Sequence, residues 1–277
     1  MLVTDQFVFL HLPRAGGTFV YEVVRKFFPS AREIGYHFPR ELLPGEYSHL
    51  PILGTVRSPW EFYVSWFHHH YSSDRYSPLK NVLFCSVSED RKLDFVQTIR
   101  NALDLGVSDD QLDALIRALP ENFDYQKRNI PNLTKDVMRK IRGTGLGLYT
   151  FRFNQMFGQA DDISFCRVES LRGDLIAFFE KIGAASDALR SYVLGGDKQN
   201  SSEHVHYSTY YKPELAELVS IRDRQLVERF GFTFEGQAQK TNKAQLDDTG
   251  PARTGPVSLE AASEGYRAGP GDVPIKT

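Results

Sequence analysis

Residues suited to holding an anion occur near the start of the chain, where residues 11–18 read HLPRAGGT (the anion loop). Paired glycines let a backbone approach a ligand closely and turn its amides inward. A helix beginning directly after them adds unpaired N–H donors and a positive dipole end. The pattern predicts that a phosphate or sulfate binds here, on Arg14, Ala15, Gly16, Gly17 and Thr18. The alternative is a tight strand-to-helix turn with Thr18 as N-cap.

A second set of candidate ligands lies within residues 52–67, which read ILGTVRSPWEFYVSWF. Arg57 follows a predicted strand directly. Residues 58–61 read SPWE, which predicts a helix start with a capping box. Ser65 lies two turns further along, so Arg57 and Ser65 could hold one anion between a cation and a hydroxyl. Equally, Arg57 could pair with a nearby carboxylate beside a well-capped helix.

Together, the two segments resemble motifs of the sulfotransferases that use 3′-phosphoadenosine-5′-phosphosulfate (PAPS), especially the bacterial and carbohydrate-type branch. In that family, HLPKTGGT-like loops bind the 5′-phosphosulfate, and VR(D/N)PxExxVSxY-like segments bind the 3′-phosphate. Residues 166–172 and 210–215 are also similar, so the resemblance spans roughly residues 5–235. This chain departs from the family at Arg14, where lysine is usual, and at Ala15, where threonine is usual.

The resemblance also implies a general base. In similar sulfotransferases a histidine at a Gly-x-His site has this role, and residues 35–37 read GYH. His37 would accept the proton of an acceptor hydroxyl, and activity would fall as the pH drops through about 6.5 if its pKa is unperturbed. Arg14 would stabilise the negative charge on the departing phosphate oxygen, and no metal is needed.

The implied reaction moves a sulfuryl group from PAPS to a hydroxyl-bearing acceptor. The resemblance favours a carbohydrate or glycolipid, and a small alcohol or phenol stays open. Two alternatives stay open: a PAP- or PAPS-binding protein without catalysis, and a small-molecule kinase-like transferase. The kinase alternative is disfavoured because the sequence lacks the Walker A pattern GxxxxGK[ST].

Several other patterns are better explained by structure than by chemistry. Residues 68–70 are three histidines, but consecutive helical side chains point about 100° apart and cannot converge on one metal, so they indicate a solvated face or cleft rim. Residues 143–147 read GTGLG without a preceding strand, which indicates a helix break. Arg167 and Glu169 are predicted to serve the strand end and the start of the next helix, with a position at the border of the site as the alternative. Residues 200–204 and Tyr207 are predicted to lie in a loop that closes over the nucleotide.

The elements that must position these residues alternate between strands and helices. Strands are predicted at residues 7–12, 32–36, 52–56 and 163–168, and helices at 18–28, from 59, over much of 90–157, and at 170–182 and 213–230. The pattern predicts an α/β fold with a P-loop-like parallel sheet flanked by helices, in a single domain with a helical insertion. Ligands of such sheets bind at the carboxyl ends of the strands.

Composition sets the remaining expectations. The formal net charge of −2 gives no general reason to expect nucleic acid. Two cysteines and no apolar run of about 18 residues favour a cytoplasmic protein without a transmembrane segment. Residues 236–277 are rich in glycine and proline and hold one aromatic residue, so the prediction is a sulfotransferase domain at 1–235 followed by a flexible tail.

Overall fold

The computed structural model of the chain describes residues 1–71, 81–122, 133–158, 161–195 and 205–235. These residues belong to one compact unit, Met1–Ala238. The predicted tail and the predicted closing segment at 200–204 lie outside the described residues.

A five-stranded mixed sheet lies at the centre, in the order β3-β1-β2-β4-β5. The strands are β1 (Leu2–Val3), β2 (Val8–Leu10), β3 (Arg32–Glu33), β4 (Ile52–Val56) and β5 (Ile163–Arg167). Strands β2, β4 and β5 are parallel, but β1 is antiparallel to both β2 and β3. The prediction of a parallel sheet is therefore wrong at β1. A short turn joins β1 to β2, with Thr4 Oγ1 accepting from the Phe7 amide at 2.9 Å, and hairpin partners must be antiparallel.

Helices cover both faces of the sheet, as predicted. They are α1 (Gly17–Phe27), α2 (Pro59–Tyr71), α3 (Val82–Ser88), α4 (Phe95–Asp104), α5 (Asp109–Ala118), α6 (Lys135–Arg139), α7 (Leu148–Phe157), α8 (Leu171–Lys181), α9 (Asp187–Gly195), α10 (Pro213–Arg222) and α11 (Arg224–Phe230). Phe7 and Phe9 share one apolar cluster with α1, α8 and α9. Val8 and Leu10 point to the other cluster, with α2–α7, α10 and α11, as alternation along a strand requires. Within the described segments, no helix has both the length and the hydrophobicity needed to cross a bilayer.

The helical insertion stands between the neighbouring parallel strands β4 and β5 and contains α2–α7. The predicted break at residues 143–147 is confirmed: Gly143 and Gly145 have φ of 70° and 67° in the turn before α7. Gly147 has a different role, because an added Cβ there would lie 2.7 Å from Asp223 Oδ1.

The strand connections place a crevice beside the predicted site. Strand β2 leads through α1 to β3 on one side of the sheet, whereas its neighbour β4 leads to β5 on the other. Adjacent parallel strands whose connections diverge in this way form a crevice at their carboxyl ends. The anion loop follows β2 and Arg57 follows β4, so both predicted segments lie at this crevice.

Candidate anion-binding and catalytic site

The anion loop turns sharply between β2 and α1. Arg14 and Gly16 both have positive φ, 64° and 78°, and Gly16 is the N-cap of α1. Gly16 makes no side-chain capping hydrogen bond, and Thr18 is an exposed residue inside the helix, so the alternative of Thr18 as N-cap is wrong. Among the described residues, the first-turn amides of α1 therefore have no side-chain cap, which is the arrangement that suits an external anion.

Gly17 is required by packing. An added Cβ would lie 2.1 Å from His11 Cδ2, far inside van der Waals contact. Only glycine lets the buried His11 ring lie against the start of α1. Ala15 is completely buried beside it, so the loop is held from within by its own side chains.

Arg14 is a charged group without a carboxylate partner among the described residues. Its Nη2 donates to Ser65 Oγ at 2.9 Å, and its buried Nε has no hydrogen-bond partner there. Burial and the nearby charge of Arg57 lower the pKa of Arg14 to about 10, so it stays protonated at neutral pH. The structure thus brings Arg14, Ser65 and Arg57 close together and leaves the charge of Arg14 uncompensated.

Arg57 forms the ion pair that was the alternative interpretation. Its Nε donates to Glu61 Oε2 at 3.0 Å, one helical turn away. Its backbone is fixed by Tyr149, whose hydroxyl accepts from the Arg57 amide at 2.9 Å and donates to the Arg57 carbonyl at 3.1 Å. The pair occupies Nε alone, so within the described part of the chain the Nη groups remain available to a ligand.

The predicted capping box at residues 58–61 is not formed, although α2 begins at Pro59 as expected. The Ser58 amide donates to Glu169 Oε1 at 3.1 Å, and the buried Ser58 Oγ has no described partner. Glu61 turns to Arg57 instead of reaching back to the helix start. A carboxylate distant in sequence therefore takes the place of the local cap. The prediction placed Glu169 at the start of the helix that follows it in sequence, but its carboxylate accepts from the start of α2.

His37 is buried, with an exposed fraction of 8%, and has a positive φ of 57°. Its Nδ1 lies 2.9 Å from the carbonyl oxygen of His11. A carbonyl can only accept, so Nδ1 carries the proton and Nε2 is the basic atom of the neutral ring. Burial, then the neighbouring His11 and Arg152, lower the pKa of His37 well below its usual value. This is the protonation state that a general base needs.

A cavity of about 420 Å³ joins these groups. Its polar and aromatic wall includes Arg14, Thr18, Tyr36, His37, His69 and Arg152. Three of the predicted site residues, Arg14, Thr18 and His37, therefore share one chamber. The other five are not part of its wall: Ala15, Gly16, Gly17, Arg57 and Ser65. Ser65 and Arg57 instead lie beside the chamber, next to Arg14.

Arg152 was missed by the sequence analysis. It lies on α7 with an exposed fraction of 6%, and its Nη1 has no hydrogen-bond partner among the described residues. No described carboxylate pairs with it, and burial lowers its pKa to about 10. The sequence signal for Arg152 is the FRF triplet at residues 151–153, which places a cation between two aromatic residues. The first six residues of α7 are all buried, and a buried charge requires a partner or a ligand.

Of the two predictions for the histidines at 68–70, a solvated face or a cleft rim, the cleft rim is confirmed for two of them. His69 and His70 line the cavity, and the charge of Arg14 contributes to lowering the pKa of both, after burial. His68 points away and packs against Tyr210, with 5.0 Å between ring centroids. Among the described residues, no group of three or more His, Cys, Asp or Glu side chains is placed to hold a metal.

Two other predicted residues have structural roles. The Arg167 amide donates to Asp174 Oδ2 at 2.8 Å, which links the end of β5 to α8, as predicted. Tyr207, expected in a loop over the nucleotide, is buried, and its hydroxyl accepts from the Glu235 amide at 3.2 Å. Tyr207 therefore belongs to the packed interior.

No family model, curated protein or solved structure matches this chain. The cavity, its side chains and their charges are therefore the grounds on which its function must be inferred.

Proposed function

We propose that this chain is a PAPS-dependent sulfotransferase that moves a sulfuryl group to a hydroxyl on a carbohydrate or glycolipid. One observation carries the proposal: a single cavity contains the cation Arg14, which no described carboxylate neutralises, and the neutral base His37, beside a helix start that no described side chain caps. A sulfuryl donor requires the cation and the free helix start, and an acceptor alcohol requires the base. The strand–loop–helix unit of β2 and α1 also supports a P-loop-like fold, and two free cysteines accord with a cytoplasmic location.

In the proposed reaction, the first turn of α1 and Arg14 hold the 5′-phosphosulfate of the donor substrate, and Arg57 with Ser65 holds the 3′-phosphate. The acceptor oxygen forms a bond to sulfur as the bond from sulfur to the 5′-phosphate oxygen breaks. The hydroxyl proton passes to His37 Nε2. The products are a sulfate ester and adenosine 3′,5′-bisphosphate (PAP), and Arg14 stabilises the charge left on the phosphate.

Transfer itself is tested by incubating the protein with sulfur-35-labelled PAPS and pools of saccharides, glycolipids and simple alcohols. We expect label in an acceptor and release of PAP. Tight PAP binding without transfer to any pool would indicate a binding protein instead. Turnover of ATP that depends on magnesium would indicate the kinase-like alternative.

Nucleotide selectivity gives the first prediction. PAP should raise the melting temperature much more than AMP, because AMP lacks the 3′-phosphate that Arg57 would hold. Arg57→Met should weaken PAP binding by roughly 1.5–3 kcal/mol, the scale of a charge-assisted hydrogen bond. Arg100→Met, at an exposed position on α4, is the matched control and should bind PAP normally. Equal melting shifts with PAP and AMP would contradict the assignment.

A further inference from the structure

The burial of Arg152 without a described counter-charge favours the binding of an external anion. Burying an ion without a counter-charge is unfavourable, and natural proteins pair such groups or bind something to them. Arg152 is nearly fully buried and lies on the cavity wall, and Nη1 has no described partner. No aspartate or glutamate belongs to the described wall of this cavity, so nothing there neutralises the guanidinium.

Arg152 also comes from a different element of the fold than the predicted nucleotide groups. Arg14 comes from the anion loop and is close enough to Arg57 for the charge of Arg57 to affect it. Arg152 comes from α7, in the helical insertion, and its charge reaches His37 instead. The two arginines therefore reach the wall of one chamber from different elements, Arg14 from the anion loop and Arg152 from α7.

The chamber is suited to one small ligand besides the donor's sulfuryl end. Its volume of about 420 Å³ lies in the lower part of the range for small-molecule sites. The guanidinium is a planar fork of donors, which matches the oxygens of a carboxylate, sulfate or phosphate group in pairs. A neutral sugar hydroxyl would leave the charge of Arg152 uncompensated.

We propose that Arg152 binds an oxyanion carried by the acceptor, so that the acceptor is an acidic hydroxyl compound whose hydroxyl is presented to His37. The oxyanion can be a carboxylate or a sulfate or phosphate ester. The identification of the bound anion as the acceptor rests on the proposed function, but the anion site itself does not. It narrows the substrate class from hydroxyl compounds in general to anionic ones.

The test is calorimetric titration of the PAP-bound protein with three matched sugars: D-glucuronate, D-glucose 6-phosphate and D-glucose. We expect at least one of the two anionic sugars to bind, and glucose to bind at least about tenfold more weakly. Comparing glucuronate with glucose 6-phosphate distinguishes a carboxylate from a phosphate ester as the bound oxyanion. Arg152→Met should weaken binding of the anionic sugar by about tenfold or more, Arg152→Lys by less, and Arg100→Met not at all. PAP affinity should be unchanged in all three variants.

Three results would overturn the inference: equal binding of glucose and both anionic sugars, wild-type affinity for them in Arg152→Met, or loss of PAP affinity along with sugar affinity. The last would make Arg152 a nucleotide ligand. If Arg152→Met does not fold, the same criteria apply to Arg152→Lys, which keeps the charge but loses the fork. If the wild type does not bind PAP, the proposed function fails, and the titrations on the nucleotide-free protein decide the anion site alone.

Discussion

Replacing His37 removes the basic nitrogen that the proposed transfer requires. A general base typically contributes about 10²–10⁴-fold to the rate, so His37→Ala should lower kcat by that factor. PAP affinity should change little, because the described hydrogen bond of His37 is to the backbone carbonyl of His11, and His37 belongs to neither predicted phosphate motif. Loss of that hydrogen bond should also cost about 0.5–1.5 kcal/mol of unfolding free energy. His37→Gln retains an N–H donor that can bond the His11 carbonyl, so it separates loss of the base from loss of local structure.

The pH profile gives a second measure of the same residue. Protonated His37 cannot accept the acceptor proton, so activity is lost as the pH falls through its pKa. Burial lowers that pKa well below its usual value, so the expectation of a fall near 6.5 requires correction. The profile of kcat/KM, which reports on free enzyme, should be flat through about pH 6.5 and should decline only at lower pH.

Turnover of His37→Ala at the wild-type rate with a good acceptor would refute the assignment of His37. An acid limb of kcat/KM at or above about pH 6.5 that disappears in His37→Gln would contradict only the lowered pKa, because it would still identify His37 as the group that must be unprotonated. In the first case His11 becomes the next candidate, because it lines the same cavity and its pKa is lowered to about 4, chiefly by burial.

The other predictions concern packing and buried charge. Gly17→Ala should lower the melting temperature and activity, at a cost of roughly 1–3 kcal/mol, because the new Cβ would overlap the His11 ring. Gly173→Ala in α8 is its control: nothing lies within 4 Å, so about 0.5–1 kcal/mol of stabilisation is expected. Burial raises the pKa of Asp223 from 3.8 to about 6, although Thr150 donates to it twice. Because the folded state favours the protonated form, denaturant titrations should show the wild type losing about 2 kcal/mol relative to Asp223→Asn between about pH 4 and pH 7. Parallel pH profiles would contradict this.

The parts of the fold that sequence could predict are those whose causes are local. The strand before the anion loop, the glycine pair and the start of α2 at Pro59 each follow from residue types within one or two turns. Strand β1 could not be predicted in this way, because two residues carry no periodicity and the strand exists through pairing with β2 and β3. The capping box failed for a similar reason: Glu169 is distant in sequence and reaches the Ser58 amide only in the folded chain.

In the candidate site too, the residues within local motifs could be predicted, and the properties set by distant neighbours could not. Arg14 and His37 were predicted by motif, and the structure places both in one cavity, but their burial and charge state come from neighbours that the motif does not contain. Arg152 comes from the helical insertion, outside both predicted phosphate motifs. Its sequence signal is a mismatch, a cation between two phenylalanines in an apolar helix, and the meaning of that mismatch depends on which cavity the helix borders.

The electrostatics of the cavity would connect anion binding with the proposed proton transfer. The chain as a whole is slightly acidic, with a formal net charge of −2, yet Arg14 and Arg152 stand uncompensated by any described carboxylate around one chamber. Besides attracting anions, Arg152 helps to keep His37 neutral, adding to the larger effect of burial. An anion bound to Arg152 would cancel that contribution and raise the pKa of His37. Under the proposed function, His37 before the acceptor binds is therefore an unprotonated but weak base. Binding of an acidic acceptor would increase its proton affinity at the step in which the hydroxyl proton must be removed.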